Sequence, residues 1–310
     1  MRMAIVAGAV GLSFVWGPQN PSQEPSDHVH QLLRAARHAV GGDARLDAAK
    51  NVSLDGPFRR QIGTFQVEGN ADLLIAKPDR MRRVEELELT GMPGRGQGGR
   101  VQRTSVLSGD DAWEQSNGLG GIGGTPGPPL PEFRRGRATA ETDRAGWRPA
   151  DFEQARTARM HAVLEYWLLA LFLKTERVFM VAGVTDTTEG KAHVLATTDA
   201  QGDPIRLLID QQTHLPVGLT FQDRGPMMPS RGSAGRSSAS PPVAPDGRLE
   251  FEGGERTTTV TLYFSKYREE AGLTWPHQID QAIDNVPSEE WTIKRYRINV
   301  TIKPDLFKKK

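Results

Sequence analysis

The stretch Gln201-Gly-Asp-Pro-Ile-Arg-Leu-Leu-Ile-Asp-Gln-Gln-Thr-His-Leu-Pro-Val-Gly-Leu-Thr-Phe221 decides how this chain folds. It reads as two strands joined by a short polar turn. Ile205, Leu207 and Ile209 share one face of the first strand, with Arg206 and Asp210 on the other. Leu215, Val217, Leu219 and Phe221 share one face of the second. An alternation of period two is the mark of a sheet with one apolar and one wet side. Asp210 to His214 supply polar side chains that compete with the ladder for backbone hydrogen bonds, which favours a turn. Pro216 lacks a donor, and the start of a returning strand tolerates that.

Similar pieces recur on both sides. From Val52 to Ser116 an antiparallel meander of roughly five strands is expected. Phe65, Val67, Ala71, Leu73 and Ile75 alternate there with Gln66, Glu68, Asn70, Asp72 and Leu74. Lys77-Pro78-Asp79 forms a turn, Arg82 to Leu89 and Val101 to Leu107 are strands, and Ala112-Trp113-Glu114 follows the turn at Ser108 to Asp111. Beyond the middle, strands are expected over Arg177 to Thr185, Ala192 to Thr198, Leu249 to Tyr267, Leu273 to Asp280 and Trp291 to Ile302.

Two segments break the alternation. Val29, Leu32, Leu33, Ala36 and Val40 follow helical spacing, with Ser26 or Asp27 as cap and Gly41-Gly42 as stop. Gly42 to Leu46 then leads into strands. A second helix is expected from about Pro149-Ala150-Asp151 to Lys174, and its end, Tyr166 to Leu173, is apolar on every face. A helix apolar all round must be covered. At about 2 kcal/mol per large side chain, exposing its Trp, Leu and Phe residues would cost roughly 12 kcal/mol, more than many domains have in total stability. The run is too short to span a bilayer, and Glu165 and Lys174 bracket it. Two helices among some ten antiparallel strands define an α+β fold.

The chain has 310 residues and no cysteine, which rules out disulfides, thiolate metal sites and a cysteine nucleophile. Residues 1–17 read as an export signal, with Arg2 before the apolar run Ala4 to Trp16; an uncleaved anchor is the alternative. Without residues 1–17 the chain carries 38 basic against 38 acidic residues. That balance argues against nucleic acid as a partner. Residues 18–26 read as a linker and 27–305 as one domain. Gly- and Pro-rich composition marks flexible insertions at 91–99, 117–148 and 223–247, and 306–310 reads as a basic tail.

No catalytic or metal grouping is recognised, and no cofactor is expected. His161 and Glu165 stand four apart on the second helix and suit surface pairing, not a two-histidine zinc pattern. His28 and His30 sit at a helix start. His193, His214 and His277 lie on strands or turns without acidic or histidine neighbours at metal spacing. Gly118 to Gly124 is followed by prolines, not by the helix that a phosphate loop needs. Asp110-Asp111 is a hairpin turn, and no Gly-x-Ser-x-Gly elbow occurs. What does stand out is apolar material suited to a cavity. The ligand-binding candidates are Phe65, Val67, Leu73, Trp113, Trp167, Leu168, Leu171, Phe172, Phe179, Leu207, Ile209, Leu219, Phe221, Phe264 and Trp275. For any one of them an ordinary core position is the competing reading.

The order of these elements, the Gly42-Asp43-Ala44-Arg45-Leu46 segment and above all Leu207-Leu-Ile-Asp-Gln-Gln-Thr-His-Leu-Pro-Val217 resemble the periplasmic lipoprotein-carrier (LolA/LolB-like) superfamily. The resemblance implies a strongly curved antiparallel sheet, an open half-barrel covered on its concave side by helices, with a hydrophobic cavity for acyl chains. In that family an early-strand arginine helps hold the lid closed; Arg59 and Arg60 lie in that region, and neither is assigned the role. The long Gly/Pro loops and the Asp223 to Asp246 insertion depart from the family's pattern. Three functions follow as expectations. The first is a periplasmic or secreted, non-catalytic carrier of a lipid or acylated protein, in outer-membrane lipoprotein or lipid trafficking. The second is a structural or sensing envelope module with a self-filled cavity and a protein partner. The third, an envelope hydrolase, lacks a nucleophile–base pair.

Overall fold

A computed structural model describes residues 25–62, 65–89, 99–117, 149–224 and 257–309. Among these residues thirteen antiparallel strands form one open sheet, with β5 and β6 at its two edges. In chain order they are β1 (Asn51–Ile62), β2 (Phe65–Ala76), β3 (Arg80–Leu89), β4 (Gly99–Ser108), β5 (Asp111–Asn117), β6 (Met180–Thr187) and β7 (Gly190–Thr198). These are followed by β8 (Pro204–Asp210), β9 (Pro216–Arg224), β10 (Thr257–Glu270), β11 (Leu273–Ile283), β12 (Val286–Thr292) and β13 (Arg295–Ile298). The spatial order is β5-β4-β3-β2-β1-β12-β11-β10-β9-β8-β7-β6, with β13 also on β1. Two meanders thus meet at one seam, β1 against β12. The result is the open half-barrel, with helices packed on one side of it.

Helix α1 (Pro25–Val40) runs from Asp27 in its first turn to Arg37 and His38 in its last, charges that suit the helix dipole. It stops where the sequence predicts. Gly42 N–H donates to Arg37 O at 2.8 Å and Gly41 N–H to His38 O at 3.1 Å, a paired C-terminal cap. Gly41 has φ 135°, and a Cβ there would stand 2.6 Å from Leu273 Cδ2 on β11. Only glycine meets both conditions. The segment expected to lead straight into strands instead forms a short helix, α2 (Asp43–Ala48), which buries Leu46. Helix α3 (Pro149–Phe172) ends two residues before the expected Lys174, and Leu173 just after it lies in the left-handed region (φ 50°).

The core joins one face of the sheet to all three helices. Val29, Leu32, Ala36 and Val40 of α1, Leu46 of α2 and Leu164 to Leu173 around α3 share one cluster with strand residues. The strand contribution alternates as the period-two reading requires: Leu54 and Phe58 on β1, Leu73 and Ile75 on β2, Ile205, Leu207 and Ile209 on β8, Leu219 and Phe221 on β9. A smaller cluster lies on the other face, where Leu74, Ala76 and Val106 meet Phe307.

Several expectations are corrected. Trp291 to Ile302 is not one strand: it breaks at Ile293-Lys294, so that β12 pairs with Phe58–Arg60 and β13 with Val52–Asp55 of the same β1. Arg177 to Met180 is not wholly strand, because β6 begins only at Met180 and Phe179 precedes it. Asp210, expected on the wet face, is buried. Its Oδ1 accepts from the backbone N–H of Gln212 (3.0 Å) and Thr213 (2.7 Å) and from Thr213 Oγ1 (2.8 Å), so the carboxylate builds the turn. A register shift between Leu208 and Ile209 puts Pro216 opposite Ile209; Val217 is buried outside the cluster that holds Leu219 and Phe221, while Leu215 still packs against that cluster. Glu165 takes Arg177, not His161, as its ion partner. His277 does have an acidic neighbour, Glu270 Oε2 at 3.5 Å from its Nε2. The basic tail begins inside the fold, since Phe307 is buried and accepts from Trp113 Nε1 at 3.2 Å. The expected signal, most of the expected linker and most of the three insertions lie outside the described residues; the linker's last two residues, Pro25 and Ser26, are instead the start of α1.

Candidate functional site

The helix-facing side of the sheet is the candidate site, and α3 lies in it. Tyr166 stacks on Phe221 of β9 with ring centroids 3.9 Å apart. Trp167 meets Trp291 of β12 edge-on at 6.2 Å, and Phe172 meets Trp275 of β11 at 5.8 Å. Trp275 in turn stacks on Tyr296 of β13 at 5.0 Å. From Tyr166 to Leu173 every residue but Leu168 is fully buried, and Leu168 is partly so. The all-apolar end of the helix is covered, as its composition demands.

Polar attachments hold α3 at its margins. Arg159 makes a two-pronged pair with Asp223 of β9, at 3.1 and 2.8 Å. Arg177, just beyond the helix, grips Glu165 and donates to Thr198 O at 2.7 Å. At the C-terminal end Arg37 Nη1 donates to Phe172 O at 2.9 Å. Lys77 Nζ lies 4.6 Å above the Phe172 ring and donates to Leu46 O. Burial, with Lys174 and Arg37 close by, lowers the Lys77 ammonium below its ordinary range.

A second, charged layer lies on the same side at the seam. Arg60 of β1 binds Glu85 of β3 through both Nη atoms, at 3.1 and 2.7 Å, and donates from Nε to Glu289 Oε2 of β12 at 2.7 Å. Arg83 donates to Glu289 Oε1 at 2.8 Å, and its Nε stands 2.8 Å from Glu85 Oε1 without hydrogen-bond alignment. The side chains of Arg60, Glu85 and Glu289 are only 4%, 4% and 7% exposed, so this is a buried network and not surface decoration. Burial disfavours the Arg60 charge, but Glu289 and Glu85 outweigh it and hold the guanidinium above its ordinary range. Burial likewise pushes Glu85 up, and Arg83 and Arg60 overcome it to hold the carboxyl down at about 2. Both guanidinium groups also cover the aromatic floor: Arg60 lies 4.8 Å above Phe58 and Arg83 5.2 Å above Trp291.

The structure brings most of the sequence-derived candidates together. Leu73, Trp167, Leu171, Phe172, Phe179, Leu207, Ile209, Leu219, Phe221, Phe264 and Trp275 belong to the cluster around α3, with Leu168 packed against it. Trp113 does not: it sits in the smaller cluster on the other face, against Phe307. Val67 is buried outside both clusters. Phe65 is in β2, and its side chain is not among those described. Two shallow pockets open beside Asp55 and Asn70 and beside Arg59 and Glu290; none of the apolar candidates lines either one. The sequence reading missed the Arg60–Glu85–Glu289–Arg83 network. Its one visible sign in the sequence is charge at alternate positions of β3, Arg83 and Glu85. Among the described residues no group of three or more His, Asp or Glu is placed to hold a metal ion, and no helix is long and apolar enough to cross a membrane.

No family model matches the sequence, and neither does any curated protein. Solved structures do match. One is an outer membrane lipoprotein-sorting protein domain from Vibrio parahaemolyticus, 12% identical over 90% of this chain and 97% of that one, with a TM-score of 0.42. Another is a DUF1329 family protein from Desulfovibrio piger, 11% identical over 91% and 97%, TM-score 0.39. The Pseudomonas aeruginosa MucA/MucB complex matches at 11% identity over 89% and 99%, TM-score 0.22.

Proposed function

We propose that this chain is an exported, non-catalytic binding protein that shelters the hydrocarbon of a lipid or an acylated protein, with α3 as the element that yields to the guest. The observation that carries this reading is the all-apolar end of α3 seated on the apolar side of an open half-barrel. The energies allow an exchange. Uncovering the large residues of that end costs roughly 12 kcal/mol, and a sixteen-carbon chain gains about as much, at ~0.8 kcal/mol per methylene. A helix that rides up over the guest keeps one face covered and pays less. Residues 1–17 are proposed as the export signal, which places the protein in the periplasm or outside the cell, and trafficking of lipids or lipoproteins to the outer membrane is the process such a carrier would serve.

Native mass spectrometry of the protein recovered from its own cell envelope tests this. The expected result is a bound mass released by organic solvent. Protein that emerges without a guest and ignores fluorescent fatty acids contradicts the reading.

The packing itself favours a second reading. The stacked and edge-on contacts of Tyr166, Trp167 and Phe172 fill the helix-facing side with the protein's own rings. In that case α3 is a permanent core element, and the protein is a structural or sensing module that engages a protein partner. Failure to take up any acyl probe, with a partner captured in the envelope by cross-linking, decides for it.

A further inference from the structure

The apolar floor under α3 is not the same length on its two halves. On β8, β9 and β10 it continues toward the end of the sheet that carries Ile205, Phe221 and Val260, all in the α3 cluster. On β1 and β12 it stops short, whereas on β3 Leu87, beyond Glu85, still packs against the cluster. One position beyond Phe58 and Trp291, which face each other across the seam, stand Arg60 and Glu289, also direct partners. Glu85 and Arg83 of β3 complete the layer, and Arg103 with Glu114, 3.0 Å apart, carries the charge on to β4 and β5.

Stability alone does not account for such a layer. A buried ion network is in general no better than well-packed apolar side chains of the same volume, because desolvation offsets the attraction. Nor is the layer an open anion site, since each charge in it is met by opposite charges. Its effect on hydrocarbon is different. A chain lying on Phe58 and Trp291 cannot pass beyond them without coming between Arg60, Glu85 and Glu289, which would leave buried charges unpaired.

Resting on the carrier reading above, we infer that the Arg60–Glu85–Glu289–Arg83 network is a stop that closes the apolar floor at the β1–β12 seam and sets the longest saturated acyl chain the protein accepts. The chain is directed instead toward Phe221 and Val260, where the floor stays apolar.

The test is a series of saturated fatty acids of increasing length, competed against a fluorescent fatty acid, on the wild-type chain and on Arg60→Met/Arg83→Met/Glu85→Leu/Glu289→Leu. The variant removes all four charges together, so that none is orphaned. Wild-type affinity should rise about fourfold per methylene, at ~0.8 kcal/mol each, up to a cut-off length and then level off. The variant should shift that cut-off by two or more carbons and bind the longest chains about tenfold more tightly, with short chains unchanged. Should the fourfold variant not fold, Arg60→Met/Glu85→Met reads the same shift on a smaller scale. Identical cut-offs in folded wild type and variant overturn the stop while leaving the carrier reading intact. A wild-type chain that binds no fatty acid of any length overturns the carrier reading, and the stop with it.

Discussion

The indole N–H of Trp291 donates to the carbonyl oxygen of Gly56 across 3.1 Å, and this bond ties β12 to β1 where β1 changes partners. Below Gly56, β1 runs beside β13; above it, beside β12. The two meanders of the half-barrel are joined here. A Cβ on Gly56 would stand 2.0 Å from Thr292 O, a backbone atom that cannot swing aside. Gly56→Ala is expected to cost about 3 kcal/mol or more, seen as a lower midpoint in urea unfolding. Unchanged stability would mean that the seam is looser than described.

Trp291→Phe removes the bond together with part of the buried ring. It keeps an aromatic ring under Arg83 but leaves the Gly56 carbonyl without this buried donor. The expected loss is about 1–2 kcal/mol, read in the same unfolding assay.

Glu85→Gln leaves Arg60 and Arg83 short of one negative charge in a buried place, at an expected cost of about 3 kcal/mol. The pH dependence gives a sharper readout. The folded protein holds the Glu85 carboxyl at about 2, against about 4.3 in an unfolded chain. The unfolded state therefore takes up the proton first. The contribution of Glu85 is complete above about pH 5 and is lost as pH falls toward 2. Asp72 and Asp280, both raised by burial, act in the opposite sense. Comparing Glu85→Gln with wild type isolates the one group: the variant should unfold with a shallower acid dependence between pH 5 and 2.

The attachments at the margin of α3 should oppose uptake of a guest. Arg159→Ala/Arg177→Ala removes the pairs to Asp223 and Glu165 while leaving the apolar end intact. With partly exposed pairs worth up to about 1 kcal/mol each, acyl-probe affinity should rise several-fold, up to about tenfold, and the melting temperature should fall by a few degrees. Weaker probe binding would argue that α3 must be held in place for binding.

The strands were legible because one side of each faces the core: the alternation of Ile205, Leu207 and Ile209, or of Leu73 and Ile75, is a direct consequence of burial on one face. The greasy end of α3 was legible for the same reason. What escaped depends on register between distant strands. Arg60 and Glu289 are neighbours only because β12 returns to β1 after more than two hundred residues. The break at Ile293-Lys294 coincides with the change of β1's partner near Gly56, which neither segment announces alone. Trp113 looked like cavity lining, yet the chain end at Phe307 passes behind the sheet and claims it. Asp210 read as an exposed charge because its burial is repaid by turn hydrogen bonds that sequence spacing does not reveal.

The absence of cysteine offers a clean way to test whether α3 gives way to a guest. Arg159 of α3 pairs with Asp223 of β9 at the partly exposed margin of the helix, so Arg159→Cys/Asp223→Cys can be bridged by a short bis-maleimide to pin α3 to β9. Fluorescent fatty-acid titration of the double variant before and after bridging is the deciding measurement. Saturable binding that bridging abolishes is the predicted result. Equal binding by bridged and unbridged protein would contradict the account, because the hydrocarbon would then lie somewhere other than beneath that helix.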